Sequence, residues 1–148
     1  MDSLASKEDR LWPCRMWPPM KFDRPLSVGA SGGHGPVRYF VEQYDAGKLV
    51  QFRFTAPRGF NGVHRLEVLA KGTNKTELRH TIEMNAEGPA LLSWPILIRP
   101  LHNALVEDAL TLVEVRLGLE KHVNNWSVYV RVLRWIASGG KSGRQSFS

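Results

Sequence analysis

Five histidines are the side chains in this sequence best suited to chemistry near neutral pH, because imidazole titrates there and can donate or accept a proton. Their spacing separates them into kinds. His64 and His80 occupy positions where an alternating pattern otherwise calls for apolar residues. His64, Leu66, Val68 and Ala70 alternate with Arg65, Glu67 and Lys71, while Leu78, His80, Ile82 and Met84 alternate with Glu77, Arg79 and Glu83. If Gly72-Thr73-Asn74 turns the chain so that Leu66 pairs with His80, then His64 faces Ile82 and the two histidines become diagonal neighbours, about 7–8 Å apart. Two imidazoles at that separation can touch one ligand, hydrogen-bonding its oxygen or serving as acid and base. The blander account is that backbone, water or nearby carboxylates satisfy both rings.

The other candidates carry weaker signals. Gly32-Gly33-His34-Gly35 lacks the strand–loop–helix context and the Lys-Ser/Thr pair of a phosphate loop, so His34 reads as a loop histidine. His102 and Asp108 flank opposite sides of an apolar helix face and make poor partners for each other, and His122 falls in a linker. No histidine spacing fits a metal site on one element, and the single cysteine, Cys14, excludes a multi-cysteine zinc site. No metal and no cofactor are therefore expected. Ser93 has no glycine elbow around it, and Cys14, beside Pro13 and Arg15, reads as an ordinary small residue. Trp12, Trp17 and Trp94 are core or rim aromatics, types that the mouth of a pocket also uses.

The elements that would position these residues follow from periodicity. Ser6 is a plausible cap for a short helix to about Trp12, after which Trp12-Pro13 and Trp17-Pro18-Pro19 force extended or turn conformations. A short strand is expected near Leu26–Gly29, and Ala30 to Pro36 reads as a loop. Val37, Tyr39 and Val41 alternate with polar residues, as do Val50, Phe52 and Phe54, and Asp45-Ala46-Gly47 turns between them. Pairing Val41 with Phe52 and Tyr39 with Phe54 puts the large apolar groups on one face, and a one-residue slip would set Arg38 opposite Phe54. The period then changes to helical, from the Gly88-Pro89 entry through Ile98, Leu101, Leu105, Ala109, Leu112 and Val113 to a Gly118 cap. Pro95 and Pro100 predict a kink or a broken first part. A second amphipathic segment over about 125–137 sets Trp126, Tyr129, Leu133 and Ile136 on one face and Arg131 and Arg134 on the other. Residues 139–148 read as a disordered tail.

Antiparallel strands followed by one long helix predict an α+β fold with the helix across the sheet. The run Gly33-His34-Gly35-Pro36-Val37-Arg38-Tyr39, then Val50-Gln51-Phe52-Arg53-Phe54, then Pro57-Arg58-Gly59-Phe60-Asn61-Gly62-Val63-His64 and the long helix resembles the START/Bet v 1-like (SRPBCC) superfamily. This is the helix-grip group that includes polyketide cyclase/dehydrase-like and lipid-transport proteins. The resemblance, over roughly residues 6–118, implies a curved antiparallel sheet wrapped around the long C-terminal helix; the expected organisation is a ligand-binding domain over 1–118 and, from the residue pattern, an additional amphipathic helix over 119–138. The family domain opens with a strand and two short helices, and here the first strand and first helix have no counterpart. Either the start lies upstream or a sheet edge is covered some other way, and an uncovered edge predicts a homo-oligomer.

The resemblance and the residues together predict a binder of a small hydrophobic molecule, lipid-like or polyketide-like, held between sheet and helix. Its lining would be Tyr39, Phe52, Phe54, His64, Leu66, Val68, Leu78, His80, Ile82, Leu101 and Leu105. The alternative that the resemblance implies is a polyketide cyclase/dehydratase-like enzyme with His64 or His80 as base and Tyr39 as donor. No carboxylate falls on that face to orient an imidazole, so binding ranks above catalysis.

Length and charge agree with one such domain: 148 residues, 43% apolar and 23% charged. The net charge of +6 is concentrated after Gly118, where Lys121, Arg131, Arg134, Lys141 and Arg144 face only Glu120. No basic stripe crosses the body, which argues against nucleic acid as a partner. The basic helix with Trp126 and Trp135 could meet a membrane surface, but packing on the domain is the preferred expectation. The polar start and the shortness of the apolar stretch Ala90 to Ile98 predict a cytoplasmic protein.

Overall fold

Alternation generates the sheet. The computed structural model describes residues 1–119, 122–140, 144, 145 and 147. Its strands are β1 (Lys21–Phe22), β2 (Ser31–His34), β3 (Val37–Asp45), β4 (Leu49–Ala56), β5 (Phe60–Ala70) and β6 (Thr76–Ala86), antiparallel and in sequence order across one sheet. Tyr39 pairs with Phe54 and Val41 with Phe52, while Leu66 pairs with His80 and His64 with Ile82. These are the registers that the apolar pattern demands, because any one-residue slip would turn charged side chains into the core.

The helical part follows as α1 (Ala90–Ser93), a π-helical turn (Trp94–Ile98) and α2 (Arg99–Arg116), together one continuous 27-residue helix, and then α3 (Val128–Ala137). The prolines do not break it. Arg99 donates to the Trp94 carbonyl across the wide turn, which absorbs the missing donors of Pro95 and Pro100. The Ile96 carbonyl, which Pro100 cannot bond, accepts the Tyr129 hydroxyl at 2.6 Å instead. At the far end the Leu119 amide returns to the Glu114 carbonyl and the Gly118 amide to that of Val115, with Gly118 at φ 70°, a Schellman close.

The amino-terminal third departs from expectation. Residues 6–12 form turns, not a helix, because side chains take the backbone donors that a helix would use. The Ser6 hydroxyl accepts the Glu8 amide, and the Asp9 carboxylate accepts those of Ala5, Leu11 and Trp12. The first strand is Lys21–Phe22 and not Leu26–Gly29, and the glycine-rich stretch expected as loop supplies β2. Glycine is what allows that pairing, since a Cβ at Gly32 would collide with the Lys21 carbonyl and one at Gly33 with that of Val37.

Tyr39, Val41, Val50 and Phe52 lie at the centre of the core with Leu105 and Leu112 of α2. Leu4, Leu11, Trp12, Met16, Trp17 and Met20 join them, so the Trp/Pro-rich start is core and not appendage. Asp2 ties it to the β3–β4 turn through Gly47 and Tyr44. Val68 and Ile82 are only half-buried, towards the outer strands. β6 ends the sheet, and no strand among the described residues pairs with its outer edge. Part of the expected tail (141–143, Ser146, Ser148) lies outside the described residues, and of those described Phe147 is buried in the core and Gln145 bonds to Asp108.

Candidate functional site

Between the sheet and the long helix lies an apolar cavity of about 190 Å³. The sheet contributes Val37, Phe54, Phe60 and His64, and the helix Trp94, Ile98, Leu101, His102 and Leu105. Met16, Trp17 and Pro18 come from the start of the chain, His34 from β2, and Arg134 and Ala137 from α3. A smaller space of about 30 Å³ shares His34, His64, His102 and Leu105 with it and adds Phe52, Leu66 and His80. A third, more open cleft of about 340 Å³ is bounded by His80, Ile82, Met84, Trp94, Arg99 and His102. His102 borders all three spaces.

Alternation on β5 and β6 turns His64 and His80 inward, and their ring centroids are 5.8 Å apart. His102, two residues into the helix after Pro100, approaches His80 at 5.0 Å. Tyr39 stands edge-on to His64 at 4.8 Å, and its hydroxyl is 2.9 Å from His34 Nδ1. Phe52 and Phe54 stack against His64 from two sides, at 4.8 and 4.9 Å. The sequence thus placed one pair, and the fold assembles four imidazoles, two of them, His34 and His64, against Tyr39.

Burial sets their charge. Desolvation, reinforced by the neighbouring imidazoles, holds His80 at about 3, and with Arg38 as a further like charge it holds His34 at about 3. His102 is lowered to about 4 by burial, with Asn103 pulling the other way. His64, 5% exposed, is pushed well below its ordinary value by burial and then by the other three. Burial raises the Tyr39 phenol far above its usual range. All four rings are neutral at pH 7. None bonds to a carboxylate among the described residues, and no three His, Cys, Asp or Glu side chains there form a metal-binding group. Among the described residues, the buried His64 Nε2 has no hydrogen-bond partner.

Of the expected lining, Phe54, His64, Leu101 and Leu105 border the main cavity, Phe52, Leu66 and His80 the small one, and Ile82 the open cleft. Tyr39 reaches the site through His34 and His64. Val68 and Leu78 border none of these spaces. His34 did not stand out in the sequence, because glycine composition disguised a strand. Nor did His102, because a residue at the margin of an apolar helix stripe gives no sign of a cavity beside it.

One further device closes the site. Asp108 of α2, 2% exposed, accepts the indole N–H groups of Trp17 at 2.7 Å and Trp126 at 2.9 Å, and the Gln145 amide at 2.8 Å. The Arg134 guanidinium lies over both rings, 3.8 Å from the Trp126 centroid and 4.1 Å from that of Trp17, and donates to the Met16 carbonyl. Burial lowers the pKa of Arg134, and the Asp108 charge opposes that shift. Arg134 therefore faces inward, whereas the helical pattern had placed it on an outer polar face. Tyr129 and Ile136, expected on the packed face, are exposed. The chain matches no family model, no curated protein and no solved structure.

Proposed function

We propose that this protein binds a small, largely apolar molecule in the cavity between sheet and helix, and that His64 meets its polar group. The observation that carries the reading is the orphaned His64 Nε2 beside an apolar cavity. A buried polar atom without a partner costs about 1–3 kcal/mol, a cost that a ligand hydroxyl or carbonyl would remove on displacing the side chains that close this nitrogen off from the cavity. The neutrality of the cluster favours an uncharged polar group over an anion. At about 190 Å³ the cavity falls below the usual range for ligand sites of about 300–1,000 Å³, which favours a compact, polyketide-like molecule over a long acyl chain. The order of six antiparallel strands and a long helix supports a helix-grip, START/Bet v 1-like assignment, for which this is the expected place for a ligand.

Catalysis of the polyketide cyclase/dehydratase kind is the second reading, favoured by the His34–Tyr39 hydrogen bond beside His64. Imidazoles held near 3–4 are weak bases at neutral pH, and no carboxylate among the described residues orients the four. Binding therefore remains the preferred function. Native mass spectrometry of protein purified from its host tests it: an adduct of small-molecule mass is expected on the wild type and absent from His64→Leu. Bare protein, together with no thermal stabilisation by any of a panel of compact apolar alcohols and ketones, would overturn the reading. Conversion of the captured compound by the wild type would move the assignment to the enzyme.

A further inference from the structure

The inward turn of Arg134 leaves α3 inverted, with an outer surface that is apolar. Val132, Trp135 and Ile136 project from it, Trp135 at 54% and Ile136 at 62% exposure. Beside it, the first turns of the long helix expose Leu91, Leu92 and Leu97, Leu92 at 69%. The two segments are joined where the Tyr129 hydroxyl bonds to the Ile96 carbonyl, and both also border the main cavity, through Arg134 and Ala137 on one side and Trp94 and Ile98 on the other. Exposed large apolar groups concentrated on two neighbouring segments mark an interaction surface more often than chance does.

Charge identifies what that surface meets. Residues 88–106 contain no acidic residue and include Arg99, and residues 122–148 contain none and include Arg131, Arg134, Lys141 and Arg144. The rest of the chain holds all 14 acids. Arg131, next to Val132 on α3, is exposed. Apolar side chains including a tryptophan, with the exposed Arg99 and Arg131 on the same two segments and one acid, Glu87, just before the first of them, suit the interface of an anionic bilayer, where the rings and leucines enter the acyl boundary and these arginines meet phosphate. A second copy of this chain would bring the same cations against themselves. We infer that the outer face of α3, with the exposed leucines of the adjoining helix, docks the protein on an anionic membrane surface with its cavity at the interface.

Flotation of the full chain with vesicles tests this directly. Vesicles of phosphatidylglycerol mixed equally with phosphatidylcholine should carry the protein with them and shift its tryptophan emission to the blue, and phosphatidylcholine alone should not. Raised salt should weaken the binding. Trp135→Glu with Ile136→Glu should weaken it about tenfold or more, and so, independently, should Leu91→Glu with Leu92→Glu. The second pair decides the matter if the first does not fold. No flotation with the anionic vesicles, or flotation unchanged in the folded variants, would overturn the inference. So would a dimer in light scattering that the same substitutions abolish without any vesicle binding.

Discussion

His64 is the residue at which stability and the proposed function are most directly opposed. It sits in an otherwise apolar phase, stacked by Phe52 and Phe54, and its Nε2 has no partner. His64→Leu keeps the volume apolar and removes the orphan, so it should stabilise the ligand-free protein by about 1 kcal/mol while abolishing ligand capture. Denaturant titration alongside native mass spectrometry measures both, and a loss of 2 kcal/mol or more would show that the nitrogen is satisfied in the folded protein. This residue was legible in the sequence because period-two alternation is strict, and one polar side chain in an apolar phase stands out. His34 was not legible. Its role depends on β2 pairing through Gly32 and Gly33, and the absence of a Cβ permits that pairing without announcing it.

At the scale of elements, the hairpins could be read to the residue and α3 could not. A helical pattern gives the width of an apolar stripe, but which face docks is decided by what lies opposite. Here Trp17, 117 positions before Arg134, and Trp126 together with Asp108 make an inward cation cheaper than an outward one. The same contacts make Asp108 the clasp between the start of the chain, α2 and α3. Asp108→Asn removes the charge facing Arg134 and sets an amide against that of Gln145, and hydrogen bonds to charged groups are worth about 1.5–3 kcal/mol each. The variant should lose about 2–3 kcal/mol, with amide exchange accelerating first in 128–137 while β3 to β5 remain protected. Uniform acceleration across sheet and helix would show that the clasp belongs to the global core.

For the whole molecule, four buried neutral histidines impose a pH dependence whose sign is fixed. In the unfolded chain each takes up a proton near 6.5, while the folded protein resists until about 3–4 at His34, His80 and His102, and burial pushes His64 in the same direction. The unfolded state thus binds more protons below 6.5, and stability is complete above that pH and falls as pH drops towards 4. Each histidine contributes at most about 1.4 kcal/mol per pH unit. Denaturant melts at pH 7.5 and 5 should show the fall, and His80→Leu should reduce its slope. Equal stability at both values would contradict the burial described. The unpaired edge of β6 carries an expectation of its own. About half of its eleven residues turn backbone donors and acceptors away from β5 and favour pairing with a second chain, so light scattering should find a dimer that Met84→Pro, at a position whose amide points outward, disrupts. A stable monomer would show that the edge is tolerated bare.

In the proposed function, a ligand's polar group completes His64. Long-range proton–nitrogen NMR of the imidazole rings, comparing protein as purified from its host with protein stripped of small molecules, addresses it at the atom concerned. Four neutral rings are expected, at His34, His64, His80 and His102, with the His64 Nε2 resonance moving on loading and the resonances of the exposed His122 unchanged. A loaded protein whose His64 resonances coincide with those of the stripped one would contradict it.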